Sequence, residues 1–406
     1  MRLATAAALT LLFIEACGGT TGPTASAPRT IGPASAARQS PLPSSPVLAT
    51  RVDCGAGFSP ARDMALYHFR GSVSSPNVLE VLDVTDPLKP VLLCTLIPAD
   101  GGRFDLSPNE LVFWVGDKLG SADLTSGKVV QSGQLAAAQV DGAYSENGAM
   151  FAYRVFTDAG GMSMHLYQFG ADPHDRTLYT QEPIGGHGGV PGGPNDQLQF
   201  SPDGTELLDY WTFRPTSGPA NLLVFKVDGS IVLQGTGLVS GVWGPTAAVL
   251  YFAASSPPGP TLEIDSLSAT GERSKVASGL NGYNWPVMAP DGRSIIYDTY
   301  DTSAPGQATG GLPHLWRLDL GARATSQLTS AVGSEPVFVG PTVVWSNEEK
   351  PCQCGPGGAS APDGAIVAHD LSTGRDEVVD MTLTVPGIGA PAVFASTGLV
   401  LDVWFG

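Results

Sequence analysis

The chain has 406 residues, and 21 basic against 38 acidic side chains give it a net charge of −17 at pH 7. This acidity argues against nucleic acid as a partner, because phosphates need a basic surface, and equally against electrostatic adhesion to anionic lipid. Apolar residues make up 42% of the chain, and 51 glycines and 34 prolines separate many short apolar runs. Without any long amphipathic helical pattern, this composition predicts an all-β protein with a sizeable core.

The chain begins with features of an exported protein. Met1-Arg2 is a minimal basic region, and the apolar residues 3–14 have the length of a signal peptide and are too short to span a bilayer. The sequence Ile14-Glu15-Ala16-Cys17 resembles the lipobox of bacterial lipoproteins, although Glu15 departs from its usual small or aliphatic residue. The resemblance implies removal of residues 1–16 and lipidation of Cys17. Plain secretion after cleavage and a poorly processed anchor are the alternatives.

Residues 17–46 are predicted to be the lipidated cysteine and a flexible tether. They contain almost no large apolar side chains, so burial cannot offset the entropy of ordering them. Random-coil scaling gives such a tether a reach of roughly 30 Å. Residues 47–406 are predicted to form one folded domain, held at the bacterial cell envelope on the periplasmic side or at the cell surface.

The cysteines also fit an oxidising compartment. Without the lipidated Cys17, four remain, and an even number in an exported chain favours disulfides. Of the three possible pairings, Cys54–Cys94 with Cys352–Cys354 is favoured, because Cys54 and Cys94 flank one sequence repeat. A metal site at Cys352-Gln353-Cys354 would need further ligands, and no histidine lies near it in sequence. No metal is therefore predicted.

A repeated hairpin is the strongest signal in the chain. Within residues 198–211, an apolar strand runs into the turn Ser201-Pro202-Asp203-Gly204, and a second strand rich in aromatic residues follows. Proline sets φ for the first turn position, and glycine accepts the positive φ that such a turn requires. Related turns begin at Ser59, Ser107, Ser145, Ser201, Gly244, Ala289, Gly340 and Ser396.

The turns recur every 40 to 55 residues or so, which is typical of a propeller array. Two further strands after each hairpin give four-stranded antiparallel blades, so a β-propeller is predicted. The hairpin count favours eight blades, with residues 46–52 completing the last hairpin. If that hairpin instead joins the first repeat, there are seven. In both cases the N- and C-terminal strands pair and close the ring.

The Ser-Pro-Asp-Gly turn, preceded by an apolar residue and followed by an aromatic-rich strand, resembles the signature of TolB-type propellers. The match is clear at residues 199–211 and 287–297 and partial at 106–114 and 145–153. It covers residues 47–406 as architecture. The resemblance implies a propeller of the periplasm or cell surface that binds proteins or peptides. Asp203 and Asp291 are expected to bond their own turns rather than a ligand.

No catalytic motif is recognisable, so no catalytic residue and no cofactor are predicted. The sequence has no Gly-x-Ser-x-Gly elbow and no His-Glu-x-x-His zinc motif. Two loops are candidates for ligand contact, because loops on one face of a propeller often bind ligands. The first holds Asp172, His174 and Asp175, and the second is the glycine-rich segment around His187.

These features predict a non-enzymatic binding or scaffold module with an envelope protein or peptide as its partner. The main alternative is a propeller enzyme of the lactonase, glycosidase or lyase type, whose acid and base residues would converge on the channel from several blades. A structural subunit of an envelope assembly is a third hypothesis. Oligomeric state and ligand identity are not predicted.

Overall fold

We analysed a computed structural model of the chain. It describes residues 49–54, 58–69, 78–98, 104–106, 110–115, 117–136, 142–156, 161–170, 172–181, 197–210, 222–235, 237–245, 249–255, 262–300, 313–351, 360–379 and 398–405. All of them belong to one unit, Pro46–Gly406. Within these ranges the regular structure consists of strands, and no helix occurs.

The described residues contain 28 strands. In chain order they are β1 (Ala49–Asp53), β2 (Asp63–Phe69), β3 (Val78–Asp83), β4 (Val91–Pro98), β5 (Phe104–Leu106), β6 (Glu110–Val115), β7 (Lys118–Asp123), β8 (Val129–Gln134), β9 (Gly142–Tyr144), β10 (Met150–Phe156), β11 (Met162–Gln168), β12 (His174–Gln181), β13 (Gln197–Phe200), β14 (Glu206–Tyr210), β15 (Leu222–Lys226), β16 (Ile231–Gly235), β17 (Leu238–Trp243), β18 (Leu250–Ser255), β19 (Leu262–Leu267), β20 (Arg273–Leu280), β21 (Asn284–Met288), β22 (Ser294–Tyr300), β23 (Pro313–Asp319), β24 (Ala324–Phe338), β25 (Val343–Pro351), β26 (Ser360–Asp370), β27 (Arg375–Val379) and β28 (Gly398–Phe405).

The strands form seven antiparallel blades in a ring. Blades 2 to 5 are the consecutive four-stranded sheets from β5 to β20. Blades 6 and 7 share the long strand β24, whose first part pairs with β23 and whose second part pairs with β25. Blade 1 has the order β28-β2-β3-β4-β1, so strands from both ends of the chain lie in one sheet. The predicted propeller and its mode of closure are confirmed.

The count of eight blades is wrong, and the structure has seven. The turns at Ser59 and Ser396 were counted as two hairpins, but both flank strands of blade 1. Strand β28 pairs with β2, with Met64 opposite Trp404. The expected pairing of residues 46–52 with the last hairpin does not form. Instead β1 pairs with β4, Val52 opposite Leu96, and adds a fifth strand at the outer edge.

The Ser-Pro-Asp-Gly turn has the hydrogen bonds that its sequence predicts. The Gly204 amide donates to the Ser201 carbonyl at 2.8 Å, and Gly204 has φ of 68°. The Ser201 hydroxyl donates to Asp203 Oδ1 at 2.7 Å and accepts from the Glu206 amide at 2.9 Å. Asp291 accepts from the Arg293 amide at 2.9 Å in the equivalent turn. Both aspartates bond within their own turns, as expected.

The hydrophobic core lies between neighbouring blades rather than within any one of them. Leu208 and Tyr210 of blade 4, for example, pack with Leu250 and Phe252 of blade 5. A single sheet cannot cover both of its faces, so each blade depends on its neighbours for burial. This cluster buries several large side chains, and the burial of each one stabilises the fold by roughly 1.5–3 kcal/mol.

The seam between the last and first blades is packed in the same way. Ala65 and Leu82 of blade 1 contact Trp345 and Ala368 of blade 7. The buried Trp345 indole also donates from Nε1 to the Pro87 carbonyl at 2.9 Å, which satisfies its polar group. The ring is therefore closed by strand pairing inside blade 1 and by a buried tryptophan between blades 7 and 1.

A disulfide joins Cys54 to Cys94, as predicted, and both residues are buried. Cys54 directly follows β1 and Cys94 lies in β4, so the bond fixes the end of the added strand to blade 1. Cys17, Cys352 and Cys354 lie outside the described residues, so the lipidation and the second disulfide stay predictions.

Removal of this disulfide is expected to destabilise the protein without changing its fold. The bond closes a loop with a sequence separation of 40 residues. The chain-entropy relation gives about 4 kcal/mol for a loop of this size. We predict a loss of this order for the Cys54→Ala, Cys94→Ala double variant, measured by urea unfolding in oxidising buffer. The same comparison under strong reductant is the control and should show a much smaller difference. Equal stability in oxidising buffer would contradict the prediction.

Candidate functional site

The two ends of the ring differ in the length of their connections. The first strands of successive blades contact each other, as β9 does β13 and β17 does β21, so these strands lie nearest the channel. One end, which we call the turn end, carries short connections such as residues 84–90 and 227–230. The other, the loop end, receives the longest connections, residues 182–196, 301–312 and 380–397. Insertions thus accumulate at the loop end.

The two candidate loops from the sequence attach at opposite ends of the ring. Asp172 lies in the exposed connection between β11 and β12 at the turn end, and His174 is the exposed first residue of β12. His174 Nδ1 is 3.1 Å from the Asp172 carbonyl oxygen. His187 lies outside the described residues, in the segment that joins β12 to β13 at the loop end. The two loops are therefore separate candidates, and ligand contact by either of them stays a prediction.

Asp175 is directed away from its sequence neighbours and into the interface of blades 2 and 3. It accepts hydrogen bonds from the Tyr153 hydroxyl and the Ala136 amide, and its Oδ1 is 3.2 Å from His165 Nδ1. Burial raises the pKa of Asp175 and lowers the pKa of His165. The hydroxyl of Ser163 contacts His165 Nε2 at 2.9 Å. These contacts tie the strands together, so we interpret Asp175 as structural.

In blade 7 a serine contacts a histidine, and the histidine contacts an aspartate, as in the catalytic triad of a serine hydrolase. Ser346 Oγ is 2.8 Å from His369 Nε2, and His369 Nδ1 is 2.7 Å from Asp376 Oδ1. A nucleophile must be reachable by its substrate, yet Ser346 and His369 are each only 2% exposed. The three residues occupy β25, β26 and β27 in turn. We interpret them as a polar link across the strands of blade 7.

A buried ion pair links blades 3 and 4 near the loop end. Arg154 on β10 donates from Nε to Asp209 Oδ1 on β14 at 2.8 Å, and both side chains are almost fully buried. The guanidinium also donates from Nη2 to the carbonyl oxygens of Gln197 and Tyr210, at 2.6 and 3.1 Å. Gln197 and Tyr210 flank residues 182–196 and 211–221 respectively. Arg154 therefore holds the strand ends to which two loop-end segments attach.

The same end of the inner strands contains a repeated backbone feature. In blades 4 to 7, the backbone amides of Ser201, Gly244, Ala289 and Val339 close the turn between the first two strands. We call rim positions the residues four before them, which are Gln197 in blade 4, Ser240 in blade 5, Trp285 in blade 6 and Glu335 in blade 7. Ser240, Trp285 and Glu335 have φ of 43°, 46° and 52°, and each lies at a register shift of its strand. Left-handed φ in non-glycine residues is unfavourable and tends to cluster at functional sites.

Polar side chains of one blade hold the rim positions of the next. The Gln197 amide oxygen accepts from the Ser240 hydroxyl and the Gly241 amide, at 3.1 and 2.9 Å. In blade 6, the buried Asp298 accepts from the Glu335 amide at 3.1 Å. Trp285 and Glu335 are themselves partly exposed. The sequence gives one visible signal of this rim, the proline that follows the strained residue at Pro286 and Pro336.

Two features bear on metals and membranes. No group of three or more potential metal-binding side chains occurs among the residues that the structure describes. In the same part of the chain, none of the structure is a helix long and apolar enough to cross a bilayer.

No protein-family model and no curated protein match the chain. Among solved structures, oligogalacturonate lyase in complex with manganese is similar, with a TM-score of 0.51 and 12% identity over 71% of this chain and 95% of that chain. A structure from a study of two prolyl endopeptidases has a TM-score of 0.50 and 13% identity, over 82% of this chain and 50% of that chain. TolB from Acinetobacter baumannii has a TM-score of 0.41 and 11% identity, over 76% and 77%.

Identities this low show the fold alone. The first two neighbours share the architecture of this chain, whose blades 4 and 6 have the turns Ser201-Pro202-Asp203-Gly204 and Ala289-Pro290-Asp291-Gly292 between their first and second strands. The fold is a seven-bladed β-propeller. In this propeller the loop end, with its insertions and its strained rim, is the candidate functional site.

The Arg154–Asp209 pair of the propeller is expected to be strongly coupled. The Arg154→Met variant leaves Asp209 buried without its cation, and breaking a buried pair in this way costs about 3–5 kcal/mol. The Arg154→Met, Asp209→Leu double variant should recover much of that loss, because no buried charge is left uncompensated. Urea unfolding of both single variants and the double variant tests this. Additive losses would contradict the coupling.

Glu80 should make the stability of the propeller depend on pH. It is fully buried on β3, neither carboxylate oxygen has a hydrogen-bond partner in the described structure, and burial raises its pKa from 4.5 to about 7. The folded state therefore holds this proton between pH 4.5 and 7 while the unfolded state releases it, so stability falls as pH rises. Glu80→Gln should stabilise the protein increasingly across this range, by up to about 3 kcal/mol at pH 8.

Urea unfolding at pH 4.5, 6 and 8 measures this dependence. The exposed Glu146→Gln is the matched control and should show no comparable trend. A stability difference between Glu80→Gln and the unmodified protein that stays constant with pH would contradict the assignment.

Proposed function

We propose that this chain is an exported, lipid-anchored propeller that binds a protein or peptide partner at the bacterial cell envelope. The observation that carries the proposal is the asymmetry of the ring. The turn end has short connections with internal hydrogen bonds, whereas the loop end receives the long insertions and carries the strained rim. A rigid ring that presents variable segments at one end suits recognition, because the scaffold fixes the segments without constraining their sequence.

Three features support the envelope as the location. Residues 1–16 resemble a lipoprotein signal peptide, and Cys17 stands where such proteins are lipidated. The Cys54–Cys94 disulfide fits an oxidising compartment. The net charge of −17 favours solubility outside the cell and a partner that is not itself strongly acidic.

Lipidation has a direct test. We expect the unmodified protein to fractionate with membranes and Cys17→Ser to appear in the soluble exported fraction, because the single thiol is the site of the anchor. Mass spectrometry of the mature N-terminus reads the modification itself. A membrane-bound Cys17→Ser protein, or an unmodified cysteine in the native chain, would contradict lipid anchoring.

The binding proposal is tested by cross-linked affinity capture from intact cells, with the tagged protein beside Cys17→Ser. One defined envelope partner, recovered with the native chain and depleted with Cys17→Ser, is the expected result. Failure to recover any specific partner with either form would contradict the proposal. Turnover of sugars, lactones or uronate oligomers by the purified protein would instead favour the alternative propeller enzyme of the lactonase, glycosidase or lyase type.

A further inference from the structure

A second serine, histidine and aspartate are joined at the interface of blades 2 and 3. The Ser163 hydroxyl is 2.9 Å from His165 Nε2, and His165 Nδ1 is 3.2 Å from Asp175 Oδ1. Ser163 and His165 are two residues apart on β11, so their side chains lie on the same face of blade 3. We call these three residues the blade 3 triad. One ring nitrogen of its histidine faces the hydroxyl and the other faces the carboxylate, which is the arrangement of a serine hydrolase.

The blade 3 triad differs from the contacts of blade 7 in its access to solvent. Ser346 and His369 of blade 7 are each 2% exposed. Ser163 is partly exposed, and the side chains of His165 and Asp175 are 13% and 19% exposed. A substrate carbonyl has to reach the serine oxygen before that oxygen can act as a nucleophile. The blade 3 triad meets this requirement, whereas the buried serine of blade 7 does not.

The surroundings of His165 hold its ring in place and keep it neutral. The ring stacks on that of Tyr153, with centroids 5.0 Å apart and planes 20° apart. Asp175 is itself held by the Tyr153 hydroxyl and the Ala136 amide. When Asp175 accepts the proton of Nδ1–H, Nε2 is left free to take the serine proton. Burial lowers the pKa of His165, which favours this neutral form at pH 7.

Two neighbours of Ser163 complete the site. Thr180 on β12 is directly opposite Ser163 and is exposed. Side chains at opposite positions lie on one face with Cβ atoms about 4.5–5.5 Å apart, so the Thr180 hydroxyl is placed to donate to an oxyanion formed at Ser163. Val155 on β10 is opposite Ser163 on the other side and packs against the core between blades 2 and 3. The surface beside the serine is thus apolar and suits a small, uncharged acyl group.

We propose that Ser163 is the nucleophile of a second activity, the hydrolysis of esters with small, uncharged acyl groups. Ser163 Oγ bonds to the carbonyl carbon while His165 Nε2 takes the hydroxyl proton, and the alcohol leaves with that proton as its C–O bond breaks. Water then attacks the acyl-serine and gives a proton to His165, which returns it to Ser163 as the acid is released. Asp175 keeps its structural role and is a positioning residue for His165. This activity goes beyond the proposed partner binding and does not depend on it.

The test treats the full native chain with a fluorophosphonate probe, which bonds covalently to an activated serine and releases fluoride. Mass spectrometry should place the probe on Ser163. Hydrolysis of p-nitrophenyl acetate should fall about a hundredfold or more in Ser163→Ala and His165→Ala, which remove the nucleophile and the base. Thr180→Val should lower kcat by about a hundredfold with KM little changed, because its hydroxyl acts on the oxyanion alone. Asp175→Asn should lower kcat about tenfold or more with KM little changed, since His165 loses the carboxylate that orients it.

Ser346→Ala is the matched control, because it removes a serine with the same kind of histidine contact from a buried position. This variant should take up the probe and hydrolyse the ester as the native chain does. The melting temperature of each variant shows whether it is folded. No labelling of the native chain, labelling at a residue other than Ser163, or unchanged hydrolysis by Ser163→Ala would overturn the proposal. The labelled position is read on the native chain, so it decides the matter even if a variant fails to fold.

Discussion

The pairing of β28 with β2 is the interaction on which the rest of this structure depends. Each blade buries its faces against two neighbours, so blades 1 and 7 each have an uncovered face until the ring is closed. The closing contact is non-covalent, since it consists of a strand ladder reinforced by the packing of Trp345 against blade 1. The strand that closes the ring lies far from its partner in the chain. Formation of the other six blades is therefore local, whereas closure requires the whole propeller.

The apolar contacts that repeat between blades explain the propeller architecture. Polar contacts that differ from one interface to the next explain the order of the blades. The apolar contacts between blades are chemically similar and could be exchanged among them. The polar contacts are not, because Arg154 of blade 3 bonds the carbonyl at the rim of blade 4, whereas Asp298 of blade 6 bonds the amide at the rim of blade 7. Opposite charges thus meet opposite backbone groups at equivalent places. Such pairs distinguish one interface from another, which a uniform apolar core would not do.

The fold was largely predictable from the sequence because its turns are local. Ser201, Asp203 and Gly204 hold their turn through bonds among neighbours in the chain, so the sequence alone indicates them. Blade number was not predictable in the same way, since the half-blades at the two chain ends look like separate hairpins until β28 is seen beside β2. The direction of the candidate side chains was less predictable than the fold. Asp175 stands beside His174 in sequence, but alternation along the strand sends its side chain into the interface of blades 2 and 3.

The rim positions were not predictable from the sequence for a related reason. A positive φ at Trp285 or Glu335 is set by strand register and by contacts between blades, and nothing in the local composition requires it. The shared Trp-Pro and Glu-Pro steps were visible, yet they acquire meaning only when both are found at the same place in neighbouring blades. Sites of this kind depend on the ring being assembled, and a single sequence read along its length does not reveal them.

The placement of the disulfide has a mechanical consequence. Strand β1 begins beside Pro98 at the loop end, and its other end is fixed where Cys54 joins Cys94. A pull applied through the N-terminal segment would separate β1 from β4 one residue pair at a time, beginning at Ala49. The peeling would stop at the disulfide, where the force passes covalently into the outer strand of blade 1. The ladder between β2 and β28 would then be shielded from tension, so the ring could remain closed while its attachment is stretched.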